Sequence, residues 1–521
     1  MTTSLEGKNT SIEGKNTSLW VDSAPQTDYP VITPGLHVDV AVLGGGIAGL
    51  TTALLLKRDG AKVAVVEAGR VGAGVTAYTT AKVTSLHGIQ YQSVESSFGT
   101  AGARVYAQAN EAGLARVAAF VDEMGIDCDF RRKPAFTYAE DKSDRGKIEQ
   151  EVESAKRAGL KAGYTRETDL PWEVAGAIRV EDQAEFHPRR YLLALAEAIP
   201  GDGSHVFERS RAIAVAGGRE RVRVSTTRGE LTADDVVVAT HFPFLDRGGY
   251  FARMHPERSY GLGLYLKARA QAPQGMYLST ESPSHTVRSH PTPQGEMVIV
   301  GGESHKTGQG GHTAERVARL ERWARERFDV KSIEYRWSTQ DNMPVDGVPF
   351  IGRLAPFQKR IWVATGFMKW GLTNGTAAGM ILTDLIGGRD NPWAELFDST
   401  RFKPLASARE LLKENANVGV HFVGDHLGRP DVRSTDQLGP DQAGIVRRGA
   451  GKVAAYREPG GKLHEVSAVC THLGCQVKWN DAERSWDCPC HGSRFHYTGR
   501  LLQGPAVKDL ERKPAAGGGE R

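Results

Sequence analysis

Six residues near the C-terminal end have the types and spacing to hold metal: Cys470, His472 and Cys475, then Cys488, Cys490 and His491. Thiolates and neutral imidazoles are donors for zinc and for iron–sulfur centres. Structural zinc fingers place two cysteines close together and two histidines later on a helix. Here each half can supply one of each, as Cys470-x-His472 and, after fifteen intervening residues, Cys488-x-x-His491. A two-iron cluster with two thiolates on one iron and two imidazoles on the other needs such a split between two loops. A bare zinc ribbon is the alternative, and the spacing matches it poorly. The split of Cys and His between two loops therefore points to a two-iron cluster rather than to zinc.

A second constellation lies near the start. Gly44-x-Gly46-x-x-Gly49 follows an apolar run, residues 37–43, and precedes a helical pattern. The first glycine allows a tight turn and the second lets backbone approach a pyrophosphate. The third lets helix and strand pack closely, with the helix N-terminus facing the phosphates. Glu67, about twenty residues on at the end of the next strand, is placed to accept a hydrogen bond from a ribose hydroxyl. Together these predict a bound dinucleotide, without choosing between NAD and FAD.

Both constellations resemble known families. Residues 470–475 (CTHLGC) and 488–493 (CPCHGS) look like the two boxes of Rieske [2Fe–2S] proteins of the respiratory-complex type. That resemblance assigns Cys470 and Cys488 to one iron and His472 and His491 to the other. It implies a disulfide between Cys475 and Cys490, although cytoplasmic thiols are normally kept reduced. It also implies a hydroxyl from Ser493 toward a bridging sulfide and a shielding loop at Gly504-Pro505. Phe495 stands where high-potential members carry a tyrosine, which implies a middling potential. Residues 236–240 (VVVAT), 346–352 (DGVPFIG) and 364–375 (ATGFMKWGLTNG) resemble the D-amino-acid oxidase/glycine oxidase superfamily of FAD enzymes, over about 36–395. The resemblance implies FAD, with the turn and helix start at Gly366, Gly371, Leu372 and Thr373 brought up to the flavin ring. It brings Thr76 to the cofactor and makes Lys82 and Arg288 candidate catalytic or substrate-binding residues. Lys82 reads equally as a surface lysine and Arg288 more readily as a plain surface arginine. The usual glycine after Ala-Thr is His241 here. His87, His187 and His305 read by default as structural histidines.

The elements that must position these residues follow. Residues 37–67 read as strand, turn, helix and strand, the spacing of a parallel βαβ unit, and residues 236–240 and 361–365 as further buried strands. The expected fold is α/β, a Rossmann-like FAD-binding domain interleaved with an antiparallel substrate sheet, followed by a small all-β Rieske domain. The expected boundaries are a flexible segment 1–35, an FAD enzyme domain 36–395, a linker 396–434, a Rieske domain 435–514 and a disordered tail 515–521. Within the enzyme domain, residues about 36–90, 180–245 and 340–395 would bind FAD. The polar heptad echo at 4–18 supports a flexible start.

Composition sets limits on function. Of 521 residues, 66 are basic and 62 acidic, giving a net charge of +4, so nucleic acid is not an expected partner. Five cysteines make no disulfide scaffold, and no stretch approaches the ~20 apolar residues of a membrane helix. No secretory signal is visible, so a cytoplasmic location is the default. The expected activity is oxidation of a small amine or amino-acid-like molecule, with electrons passing from flavin to cluster and on to a small redox protein or quinone-like acceptor. A flavin oxidase using O2 with a peripheral cluster, and a non-catalytic redox sensor or carrier, are the alternatives. A Rieske oxygenase would need a mononuclear iron site; His421, Asp425 and His426 offer one superficially, but on the wrong side of the cluster.

Overall fold

The computed structural model describes residues 13–217, 220–401, 413, 415–418, 430–449 and 451–513. The heptad copy at 4–10, the oxygenase candidates His421, Asp425 and His426, and the tail 515–521 lie outside the described residues. Two large sheets form the first four hundred residues. In the first, strands Ile361–Thr365, Gly229–Val238, His37–Leu43, Val63–Val66 and His205–Phe207 run parallel, side by side. Phe350–Arg353 pairs antiparallel on the outer edge, and the hairpin strands Ala212–Gly217 and Val222–Thr226 extend from Gly229–Val238. The central strands end in apolar, buried runs, Val40–Leu43, Val63–Val66 and Val236–Val238, where both faces are covered.

Helix Ile47–Arg58 follows the first strand, and Gly371–Ile386 packs across it. Glycines make the approach possible. A methyl group at Gly375 would meet the Ile47 side chain at 3.0 Å, and one at Gly379 would meet Thr51 at 2.6 Å. The long helix Gln90–Met124, kinked at Gly99, uses Gly113 in the same way against the Thr373 carbonyl.

The second sheet has ten strands and is mainly antiparallel. Its centre is Val330–Pro344, Met254–Leu266, Gly295–Lys306 and Thr286–Thr292; beyond these, Met276–Ser279 joins Arg131–Ala139 in parallel and Gly176–Glu185 follows. Of the segments expected to bind the cofactor, Lys82–Val83, residues 180–185 and residues 340–344 lie in this second sheet.

The N-terminal segment departs from expectation. Residues 13–35 are not a loose arm: Lys15–Asn16 adds a parallel strand beside Tyr335 and Arg336. Leu19, Trp20 and Ile32 are buried, and the Trp20 indole donates to the Thr79 carbonyl at 2.7 Å. Burying three large apolar side chains outweighs the polarity of the sequence around them. The linker's described ends are also packed. Phe397 is buried, and Arg401 forms a bidentate pair with Asp346 at 2.9 Å. At the far end the Asp431 amide donates to Ile445, so the last β-unit begins before 435.

That unit has two small sheets. Gln442–Arg448, Gly451–Arg457 and Leu463–Ser467 form one; Lys478–Asn480, Ser485–Asp487, Arg494–His496 and Leu501–Gln503 form the other. Among the described residues no helix is long and apolar enough to cross a membrane.

Candidate active site and metal centre

The phosphate-binding turn has the form its glycines predict. Gly44 has φ +116°, a left-handed conformation, and a Cβ there would strike the Ala239 carbonyl. A Cβ on Gly49 would strike the Gly44 carbonyl, so strand and helix touch through bare backbone. Glu67 accepts from the Gly45 amide at 2.7 Å and the Gly69 amide at 2.8 Å. Burial pushes its carboxyl upward, and the two amides offset part of that. Helix Ile47–Arg58 has no side-chain cap, so its N-terminus is open to an anion. Thr76 Oγ1 sits near, 3.4 Å from the Ile47 amide.

These residues line one cavity of about 980 Å³. It takes in Gly44, Gly46, Glu67, Thr76, Lys82, Gly371 and Leu372. The glycine cradle, the open helix N-terminus and the paired carboxylate fit a dinucleotide of FAD size. Gly366 lies just behind, with φ +76° and pressed on Pro344, and the Thr373 hydroxyl donates to the Thr84 carbonyl at 3.0 Å. Both set the helix start rather than face the cavity. His241 has φ +67°, which explains why the resemblance places a glycine there, and its Nε2 is buried without a hydrogen-bond partner.

Lys82 is buried in the cavity wall, not a surface lysine, and donates to the hydroxyls of Thr80 and Thr286. Burial, and then the nearby Arg288, lower its ammonium to about 7. Arg288 itself is a correction to the substrate-binding expectation. It is fully buried behind the cavity, donating to the Ala81 carbonyl at 2.6 Å and pairing with Glu185 at 3.3 Å. Its bonds anchor the backbone beside Lys82. The three histidines each have partners: His87, in the cavity lining, bonds Tyr106 at 2.7 Å, His187 accepts from the Arg190 amide, and His305 bonds Tyr260 at 3.0 Å.

In the β-unit, two loops face each other. Gly474 donates back to the Cys470 carbonyl at 3.1 Å and Gly492 to that of Cys488 at 3.0 Å, so both boxes close by the same turn. Cys475 and Cys490 form a disulfide between them. The Cys470 thiol is held below its usual range, chiefly by its contact with Cys488. The rings of His472 and His491 stand at 87° with centroids 5.1 Å apart. Nδ1 of His472 and both nitrogens of His491 are buried without hydrogen-bond partners. Burial lowers His491 to about 3, leaving the neutral ring a metal requires. Two adjacent thiols and two imidazoles with orphaned nitrogens fit a two-iron cluster. The tightest donor group, Cys475, Cys488 and Cys490 within 4.8 Å, does not make a separate site, because two of its sulfurs are bonded to each other.

The two sites share a wall, which the sequence did not announce. Residues 502–507 and Glu483 and Arg494 of the β-unit line the same cavity as the glycine turn. Glu483 pairs with Arg258 at 3.0 Å and with Arg494, and accepts from Ser338. Burial opposes its ionisation, but Arg258 and Arg494 prevail and hold it below the usual carboxylate range. Gln340 donates to the Gly492 carbonyl at 2.9 Å, and Phe242 approaches the His491 ring at 6.2 Å.

A glycine-cradled dinucleotide site with a substrate sheet, walled by a Cys/His cluster module, defines a flavoprotein oxidoreductase carrying its own iron–sulfur centre. Residues 39–385 match the FAD dependent oxidoreductase family and residues 429–514 the Rieske [2Fe-2S] domain. A Bacillus subtilis (strain 168) protein described as a Rieske 2Fe-2S iron-sulfur protein, YhfW, is 36% identical over 494 residues, 95% of this chain and 96% of its own. The cytochrome b6-f complex iron-sulfur subunit of Chlorobaculum thiosulfatiphilum is 38% identical over 91 residues, 16% of this chain and 50% of that one. Among solved structures, glycine oxidase from Geobacillus kaustophilus overlays with a TM-score of 0.58 at 19% identity, covering 71% of this chain and all of that one. The chain belongs to the FAD dependent oxidoreductase family and carries a C-terminal Rieske domain; its cofactors are FAD and a [2Fe–2S] cluster.

Proposed function

We propose that this enzyme is a dehydrogenase that oxidises a small amine or amino-acid-like molecule and passes the electrons through its own cluster to an external acceptor, a small redox protein or quinone-like molecule. FAD accepts electrons in pairs and can release them singly, and a Rieske cluster carries one. The observation that supports this reading is the shared wall: Phe242 lines the cofactor cavity and also meets the ring of His491. The proposed cluster ligands are Cys470, His472, Cys488 and His491. For FAD, Gly44, Gly46, Gly49 and Glu67 hold the phosphate and ribose end, with Thr76, Gly371 and Leu372 along the cavity. Lys82, neutral for part of the time near pH 7, is a wall group able to take a proton from a substrate ammonium.

Anaerobic photoreduction of the holoprotein, following flavin absorbance and cluster EPR together, tests the proposal. Cluster signal that grows as the flavin is reoxidised supports it. Full flavin reduction beside a cluster that stays oxidised would reject it in favour of the oxidase or sensor readings.

A further inference from the structure

The FAD domain touches one of the proposed ligands directly. Asp246 follows the strand Gly229–Val238 and precedes the helical turn Tyr250–Arg253. Its Oδ1 lies 3.1 Å from Nε2 of His472. The His472 side chain is 5% exposed and that of Asp246 40%, so the bond sits at the lip of the interface between domains. The other ring nitrogen, Nδ1, is buried without a hydrogen-bond partner. One face of the imidazole is thus free for iron while the other donates to a carboxylate. An outer carboxylate in that position keeps the proton on Nε2, fixes the ring's orientation and makes its lone pair more basic. His491 has no such partner. It packs between the rings of Phe242, at 6.2 Å, and Phe251, at 6.0 Å. The two imidazoles are therefore inequivalent, and the difference comes from outside the Rieske domain.

We propose that Asp246 is a positioning residue for the cluster: the FAD domain's carboxylate holds His472 and lowers the cluster's reduction potential while the two domains are docked. A negative charge beside a centre that gains an electron disfavours the reduced form, and a more basic imidazole favours the oxidised iron. Contact with the FAD domain thereby becomes a term in the driving force for electron transfer. A Rieske domain lifted away would be the easier one to reduce. The inference rests on the assignment of His472 as a ligand.

The test is an EPR-monitored redox titration of the holoprotein at one pH, for wild type, Asp246→Asn and Asp246→Ala. Both variants should shift the cluster's one-electron equilibrium toward reduction, on the order of tenfold, or about 59 mV. Asn keeps an acceptor oxygen without the charge, so it should show most of the shift. The flavin potential and the amount of cluster should stay constant. An unchanged midpoint in Asp246→Ala would overturn the proposal. Loss of the cluster in either folded variant would also overturn it, by assigning Asp246 to cluster retention. Absence of a Rieske signal from the wild type would instead remove the ligand assignment and is distinguishable at the first spectrum.

Discussion

At the scale of single residues, Lys82 shows how a site can be visible in sequence while its state is not. Its position near the flavin came from resemblance, but its charge is decided by burial and by Arg288, a residue 206 positions away in sequence. With the folded value lowered to about 7 from 10.5, the unfolded chain binds more protons between those two pH values. Stability contributed by this group therefore rises with pH across that window and is lowest below pH 7. Lys82→Met should melt above wild type at pH 6, and the two curves should converge toward pH 10. A constant offset at all pH values would mean that Lys82 is ordinarily charged in the fold. The same residue makes an optical prediction that needs no substrate. The flavin spectrum of wild type should titrate near pH 7, and that step should vanish in Lys82→Met.

The glycines argue at the scale of elements. Gly49 joins strand His37–Leu43 to helix Ile47–Arg58 through backbone, and Gly375 and Gly379 seat the second helix on the first. Gly49→Ala drives a methyl into the Gly44 carbonyl, so about 1–3 kcal/mol of overpacking is expected. The displaced turn should also lose FAD, measurable as flavin released on gel filtration. Gly379→Ala forces the two helices apart by the same kind of contact but leaves the turn, so it should lower the melting temperature and keep the flavin. Retained flavin in Gly49→Ala would show that the turn tolerates the shift. These elements were legible because close backbone packing leaves a sequence trace, glycine at fixed spacing after an apolar strand. The cluster loops were legible for a related reason: two cysteines and two histidines at set intervals have few other uses. Arg288 misled because an arginine that opens a strand looks the same whether it faces a cavity or lies behind one, and only the ten-stranded sheet decides that. The packed segment 13–35 escaped for want of periodicity, since its buried residues Leu19, Trp20 and Ile32 follow no strand or helix pattern.

At the scale of the whole molecule, the question is what keeps the Rieske domain against the FAD domain, because both the shared cavity wall and the bond from Asp246 depend on it. One polar contact is the largely buried group in which Glu483 meets Arg258, Arg494 and Ser338, while Asp487 lies 3.1 Å from Arg494 and 3.8 Å from Arg258. Two carboxylates face two guanidiniums, so the group is neutral as a whole and is held from both sides of the interface. Asp487 and Arg494 belong to the Rieske domain with Glu483, whereas Arg258 and Ser338 stand on the substrate sheet. Nothing in the sequence pairs positions 258 and 483, and neither lies in a motif. Intact, such a network adds little net stability over an apolar contact, since desolvating four charges costs about what their attraction returns. Breaking it is different. Glu483→Gln keeps the shape but leaves Arg258 and Arg494 sharing one buried carboxylate, and removing one partner of a buried pair costs about 3–5 kcal/mol. That cost falls on docking more than on either fold, because Arg258 belongs to one domain and Arg494 to the other. Calorimetry of the holoprotein should therefore show one cooperative transition in wild type separating into two in Glu483→Gln. The cluster potential should rise in the same variant, as it does on loss of Asp246, although Glu483 makes no contact with a ligand. A single transition at the wild-type temperature would show that the domains are held by Gln340, the Thr313–Asn480 bond and apolar contacts instead, and that the charged group only fills the wall.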